Sequence, residues 1–66
     1  MHISLNGETR TLEKGATVAD LIAELNLADQ RLAVEVNEEL VPRSTFSDHH
    51  LKAGDKMEIV HAIGGG

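Results

Sequence analysis

Apolar and polar residues alternate at the start of the chain, which is the period of a half-buried β-strand. Ile3 and Leu5 lie between polar neighbours, and Asn6-Gly7 follows them directly. This dipeptide tolerates the positive φ angles that a type I′ turn needs at both of its central positions. The run from Thr9 to Leu12 is suited to a second strand because it contains β-branched residues. Residues 3–13 are therefore predicted to form an antiparallel hairpin.

The spacing of apolar residues changes to three and four after Gly15, which is typical of one face of an α-helix. The apolar stripe consists of Val18, Leu21, Ile22 and Leu25. Thr17 is the expected N-cap, because its hydroxyl can accept a hydrogen bond from a first-turn amide. Asp20 stands three residues later, at the position of the acidic partner in a capping box. We predict one amphipathic helix that ends near Asn26.

Alternation returns in the second half of the chain and predicts three more extended segments. They cover residues 31–37, 40–41 and 56–63. Pro42 ends the short middle segment, since proline lacks the amide hydrogen that a strand ladder uses. Residues 44–51 should be irregular or form one helical turn, with Phe46 and Leu51 closing the open end of the core.

The resulting order is strand, strand, helix, strand, short strand, strand. It places one helix on one face of a mixed sheet of four to five strands, which is the β-grasp arrangement of the α+β class. The last strand should point Met57, Ile59 and His61 toward the helix. Val60 and Ala62 should then lie on the opposite sheet face. Residues 1–63 would form the domain, and residues 64–66 a short glycine tail.

Composition limits what such a small domain can do. Among 66 residues, 41% are hydrophobic and none is cysteine, so no disulfide, thiolate metal site or thiol nucleophile is available. Ligand pockets usually need about 300–1,000 Å³, more than this chain can enclose while also filling a core. A self-contained enzyme is therefore not expected.

The charge balance restricts the class of partner. Eleven acidic residues against six basic ones leave a net charge of −5. Nucleic acids and anionic membranes are bound through Lys and Arg, so neither is expected as a partner. No apolar run is long enough to span a bilayer, and the N-terminus has no signal-peptide pattern. We expect a monomeric cytoplasmic protein with a basic partner surface.

The sequence Asp48-His49-His50 raises the question of a metal site or an acid–base pair. Neighbouring side chains diverge, and the other histidines, His2 and His61, are distant in sequence. A metal centre normally needs three or four converging ligands, and no nucleophile accompanies an Asp–His pair here. We expect no metal site and interpret these histidines as solvated.

Gly64-Gly65-Gly66 closes the chain, and composition leaves two interpretations of this triplet open. It is either a chain end without a role or a functional tail. Three extended residues reach about 10 Å, and without side chains they can enter a narrow channel in another protein. A terminal carboxylate is ionised at neutral pH and is a poor electrophile until ATP activates it as an acyl-adenylate. The chain has no group for that step, so a partner would have to perform it.

Four motifs are spread along nearly the whole chain: GATVADL at 15–21, VNEELVPR at 36–43, LKAGDKMEI at 51–59 and IGGG at 63–66. Together and in this order they resemble the ThiS family of thiamine-biosynthesis sulfur carriers. The resemblance implies a β-grasp carrier that is not itself an enzyme and binds no stable cofactor. An E1-like enzyme would use ATP to adenylate Gly66, beside its diglycine partner Gly65. The adenylate would become a thiocarboxylate, with sulfur from a donor protein, and thiazole synthase would receive that sulfur.

Three alternatives remain open at this point. The small subunit of molybdopterin synthase also ends in Gly-Gly, but it is usually longer and richer in aromatic residues. A ubiquitin-like protein modifier shares the tail as well and would form isopeptide bonds with lysines. A plain binding module would tolerate the loss of Gly65 and Gly66 without losing its partners.

A carrier must present its tail in a fixed pose, which makes residues near the tail candidate partner contacts. Val60, Ala62 and Ile63 are the first of these, and we favour a small docking patch over scattered surface residues. Arg43 is a further candidate contact. Its preferred interpretation is structural, as the partner of a nearby carboxylate of Glu38, Glu39 or Asp55 in an exposed ion pair.

Overall fold

The fold is one helix packed on one face of a five-stranded mixed sheet with the order β2-β1-β5-β3-β4. The computed structural model describes residues 1–61, so Ala62, Ile63 and the predicted tail at 64–66 lie outside the described residues. The elements are β1 (His2–Leu5), β2 (Glu8–Thr11), α1 (Val18–Glu24), β3 (Leu32–Val36), β4 (Glu39–Val41), a 3₁₀ turn (Arg43–Thr45) and β5 (Lys56–His61). Strands β1 and β5 are parallel, and the other neighbouring pairs are antiparallel. The predicted β-grasp arrangement is confirmed.

The core lies between α1 and the sheet face that it covers. Its buried side chains are Ile3, Leu5, Leu12, Val18, Leu21, Ile22, Val34, Val36, Val41, Phe46, Leu51, Met57 and Ile59. Phe46 and Leu51 close the core from the loop after β4, as predicted. Because the helix, β3 and β5 all contribute apolar stripes, no single element could bury its own stripe alone.

The prediction that His61 points into the core is wrong, because its side chain is exposed. His61 shares the parity of Met57 and Ile59 along β5, so the alternation itself is as predicted. However, the seven-residue helix spans about 10 Å, whereas the six-residue strand β5 spans about 20 Å. Apolar burial in β5 ends at Ile59, and within residues 1–61 the side chain of His61 stays uncovered on that face.

The N-terminus of α1 is closed by the predicted capping box. The amide of Asp20 donates to Thr17 Oγ1 over 3.1 Å, and the amide of Thr17 donates to Asp20 Oδ2 over 2.9 Å. The next amide, of Val18, donates to the carbonyl of His49 over 2.9 Å. The first-turn amides are thus used by the cap and by the loop that docks on it.

The C-terminus of α1 ends in a Schellman motif, close to the predicted position. Asn26 has a φ of 60°, the left-handed conformation that this motif requires after the C-cap. Its amide donates to the carbonyl of Ala23, and the amide of Leu27 donates to the carbonyl of Ile22, each over 3.0 Å. These two bonds satisfy carbonyls that the helix end would otherwise leave unpaired.

Both hairpins use two-residue turns with positive φ at both central positions. The first is the predicted Asn6-Gly7 turn, with φ angles of 50° and 86°. The second is Asn37-Glu38, with φ angles of 53° and 70°. Glutamate is unusual at this position, since the left-handed region crowds its Cβ against the following carbonyl.

Replacing Glu38 by glycine is therefore expected to raise the free energy of unfolding by about 0.5–1 kcal/mol. A left-handed glutamate destabilises the folded state by roughly 1–2 kcal/mol, and glycine removes this strain. Glycine also loses more conformational entropy on folding, which offsets roughly 0.5–1 kcal/mol of the gain. Urea unfolding measures the difference. Glu39→Gly is the matched control, because it removes a carboxylate from β4, where glycine should lower stability. A Glu38→Gly variant less stable than the natural chain would contradict this account of the turn.

Candidate functional site

The strand that leads into the glycine tail, β5, is the central strand of the sheet. Strand β3 pairs with it from Met57, opposite Val36, to His61, opposite Leu32. On its other side, β1 pairs only with its first two residues, Lys56 and Met57. The glycine tail therefore follows a strand whose first residues are paired on both sides, with β1 and with β3. From there to His61, its last described residue, the strand is paired with β3.

Asn6, in the turn after β1, forms hydrogen bonds with β5 beyond the last residue of β1. Its amide donates to the carbonyl of Met57 over 2.9 Å. Its side-chain Oδ1 accepts from the amide of Ile59 over 2.9 Å, and its Nδ2 donates to the carbonyl of Ile59 over 3.3 Å. The side-chain amide thus replaces the next pair of backbone groups in the ladder while the chain itself turns away.

Asn37 ties down the start of β5 from the β3 side. Its amide donates to the carbonyl of Lys56 over 2.7 Å, and its Oδ1 accepts from the amide of Lys56 over 2.9 Å. Its Nδ2 also donates to Asp55 Oδ1 over 3.0 Å, and Asp55 Oδ2 accepts from the amide of Lys52 over 2.8 Å. Two turn asparagines, Asn6 and Asn37, therefore fix the strand that leads into the tail.

Neither asparagine contact with β5 is predicted by the sequence. The sequence shows that each asparagine occupies a turn, and this explains its backbone conformation. The acceptor and donor in β5 lie 53 residues from Asn6 and 19 residues from Asn37 along the chain. Only the assembled sheet brings these groups together, so no local pattern could have predicted the bonds.

Val60 lies on the open sheet face, opposite α1, and its side chain is 62% exposed. The face of Val60 is as predicted, and this residue stands directly across from Ala33 of β3, which is also exposed. Leu40 of β4 is on the same face and is 67% exposed. The other predicted contacts near the tail, Ala62 and Ile63, lie outside the described residues.

Arg43 does not form the ion pair that the sequence favours. Its guanidinium donates to the carbonyls of Ala28 and Gln30 and lies 5.8 Å from the ring centroid of Phe46. Asp55, one of the proposed acidic partners, is bonded to Asn37 instead. The preference for backbone carbonyls follows from the fold, which brings the segment before β3 against the 3₁₀ turn. Arg43 thus joins two loops.

His50 and His2 make separate contacts at different places on the surface. His50 Nδ1 lies 3.0 Å from the carbonyl oxygen of Gly15, and His2 Nδ1 lies 3.1 Å from Thr11 Oγ1. Over residues 1–61, no three or more histidine, aspartate and glutamate side chains are grouped so that they could hold a metal ion. Within the same residues, no helix has the length and hydrophobicity needed to cross a membrane.

Comparison with known protein sequences identifies relatives along the whole chain. A family model described as the ThiS family matches residues 3–66. The chain is 42% identical over 66 residues to thiazole synthase of Paramagnetospirillum magneticum, a match that covers 100% of this chain and 20% of that protein. It is 34% identical over 65 residues to the sulfur carrier protein ThiS of Bacillus subtilis, covering 97% of this chain and 98% of that protein. This chain therefore spans only a fifth of the length of its thiazole synthase relative.

A solved structure agrees with these sequence matches. The crystal structure of the thiamine biosynthesis protein ThiS from Geobacter metallireducens superposes with a TM-score of 0.86 at 30% sequence identity. The match covers 100% of both chains. Full-length agreement of the fold, together with the family match from residue 3 to residue 66, settles the assignment. The chain belongs to the ThiS family.

Proposed function

We propose that this protein is a sulfur carrier of thiamine biosynthesis and that Gly66 carries the sulfur as a thiocarboxylate. The observation that carries the proposal is the ThiS family match, which extends through the glycine triplet to residue 66. The described fold supports it, because the central strand β5 is held by β3, Asn6 and Asn37 and leads toward that triplet. Because β5 is held in place, the tail that follows it would be presented to an enzyme in one direction.

The chemistry proceeds in two steps on a partner enzyme of the E1 type. A carboxylate oxygen of Gly66 attacks the α-phosphorus of ATP, and pyrophosphate leaves. Sulfide, delivered by a sulfur donor protein, then attacks the carbonyl carbon of the acyl-adenylate. A carbon–sulfur bond forms, the carbon–oxygen bond to AMP breaks, and AMP leaves with that electron pair. The chain contributes the reacting carboxylate of Gly66 and no catalytic group, and Gly65, which has no side chain, keeps the tail narrow enough to reach the enzyme's site.

Thiazole synthase is the proposed acceptor of the sulfur. The relative of that name in Paramagnetospirillum magneticum contains a counterpart of this whole chain within a longer protein. Two proteins that work together are often joined in one chain, so this relative supports the pairing. Because the activation consumes ATP, we place the carrier in the cytoplasm, as a monomer that meets its partners in turn.

We propose the open sheet face around Val60, continued by Ala62 and Ile63, as the surface that meets these enzymes. The apolar side chain of Val60 is exposed beside the strand end, where an enzyme that takes the tail must approach. Arg43 stays a prediction as a partner contact. Its bonds to the carbonyls of Ala28 and Gln30 give it a structural role in either case.

Intact mass spectrometry after incubation with ATP, magnesium, an E1-like adenylating enzyme and sulfide tests the proposal. The expected product has one oxygen exchanged for sulfur, and fragment ions should place the change on Gly66. Fragmentation is needed because oxidation of Met1 or Met57 adds nearly the same mass. The starting mass also establishes whether the purified polypeptide ends at Gly66, as the proposal requires.

The matched control is a chain that lacks Gly65 and Gly66, which should stay unmodified in the same mixture. Conjugates linked to lysine side chains, with no sulfur incorporated, would instead identify a protein modifier. If neither adenylate nor thiocarboxylate forms on this chain while a known carrier is modified in parallel, the proposed function is wrong.

A further inference from the structure

The open sheet face brings two glutamates directly opposite each other. Glu58 of β5 pairs with Glu35 of β3, and Glu35 in turn pairs with Leu40 of β4. In the next row of the same face, Val60 stands opposite Ala33. Two carboxylates therefore lie next to an apolar surface that includes Leu40 and Val60, the large hydrophobic side chains that are exposed within residues 1–61.

This arrangement is unfavourable for the isolated domain. Side chains directly opposite in neighbouring antiparallel strands have Cβ atoms about 4.5–5.5 Å apart, and like charges at this distance are destabilising. Lys56 shares the face with Glu58, two residues away, yet the ion pair found in the described part of the chain is Arg10–Glu24, on the helix side. A cation placed between Glu35 and Glu58 would relieve the repulsion.

We propose that Glu35 and Glu58, together with Leu40 and Val60, form one docking surface for the adenylating enzyme. An arginine or lysine of the enzyme lies between the two carboxylates, and an apolar surface of the enzyme covers Leu40 and Val60. This inference rests on the proposed function and adds which residues select the partner. The acidic pair supplies the charge and the orientation, and the apolar pair supplies the buried area.

The chemistry of the occupant supports this choice. An enzyme that binds ATP and releases pyrophosphate needs cationic groups for the phosphates around its active site. The five residues after His61 reach at most about 17 Å, so the mouth of that site must lie close to the end of β5. Cationic groups of the enzyme around the mouth of that site then lie beside the open sheet face. The chain that presents this face has a net charge of −5, so the two surfaces attract each other.

The test uses the full-length chain and a purified E1-like adenylating enzyme, with pyrophosphate release as the rate. Glu35→Gln and Glu58→Gln are each expected to raise the KM for the carrier about fivefold, with kcat unchanged. Glu35→Lys is expected to raise that KM about twentyfold or more. The same lysine faces Glu58, so this variant should resist urea at least as well as the natural chain. Weaker docking in a domain that is no less stable separates binding from folding.

The matched control is Glu8→Gln, which removes an acidic charge on the helix side of the sheet, opposite the buried Leu5, and should leave KM unchanged. The natural chain and the glutamine variants should also differ less in KM at high salt, because salt screens the lost attraction. If the open-face variants have the same KM as the control, the docking inference is wrong while the carrier function stands. If the natural chain is not adenylated at all, the proposed function fails first.

Discussion

Replacing Gly66 by alanine is expected to reduce thiocarboxylate formation about 100-fold while leaving the fold intact. The added methyl lies next to the reacting carbonyl, inside the narrow site that must align the carboxylate with ATP. Misplacing a reacting group by about 1 Å can cost a factor of about 100 in rate. The loss should appear in kcat for adenylation, measured by pyrophosphate release, and in the yield of sulfur-bearing chain by mass spectrometry.

Thermal unfolding of Gly66→Ala provides the control, since a glycine has no side chain to contribute to the core. The midpoint should match that of the natural chain. The chain that lacks Gly65 and Gly66 should unfold at the same midpoint and yield no thiocarboxylate. Sulfur transfer by Gly66→Ala at the natural rate would show that the tail does not enter a tight channel, and the threaded-tail mechanism would then be wrong.

Replacing Asn6 by alanine is expected to lower the free energy of unfolding by about 2–3 kcal/mol, a large effect for a surface turn. The change removes two hydrogen bonds to Ile59 and leaves its backbone amide and carbonyl without those partners. Leaving these part-buried backbone groups without partners costs about 1 kcal/mol, the low end of the range for buried groups, and alanine at a φ of 50° adds roughly 1–2 kcal/mol. A domain of this size has only about 3–10 kcal/mol of stability in total.

Asn6→Gly is the matched variant, because glycine accepts the positive φ and loses only the side-chain bonds. It should be less stable than the natural chain and more stable than Asn6→Ala in urea unfolding. Hydrogen exchange adds a local measurement, since the amide of Ile59 should lose protection in both variants. If both variants keep the stability of the natural chain, the contact between Asn6 and β5 has no energetic role.

The helix shows how much local sequence could predict. The capping pair Thr17 and Asp20, the apolar stripe and the end near Asn26 are all found as expected. Each depends on residues within one or two turns of each other, so their spacing carries the information. The strands were predicted within one or two residues of their bounds for the same reason, since alternation is a local property. The last strand can be compared only as far as His61.

Arg43 and His61 show where local reasoning stops. Arg43 was expected to find a carboxylate, yet it binds the carbonyls of Ala28 and Gln30 because the fold places that segment beside it. His61 has the parity of a core residue, yet the helix is too short to cover it. In both cases the outcome depends on which segment, distant in sequence, lies beside the residue in the folded protein. Neighbouring residues in the sequence carry no information about that.

From the sequence alone it was possible to derive the elements, their order, the face that each one buries and the likeness to sulfur carriers. These properties follow from the periods of apolar residues, from turn chemistry and from ordered motifs. The tertiary structure decided which groups meet across the sheet: Asn6 with Ile59, Asn37 with Lys56, and Glu35 with Glu58. Strand register sets these pairs, and register is fixed only when the whole core packs, because shifting a strand by one residue would turn its apolar side chains to solvent.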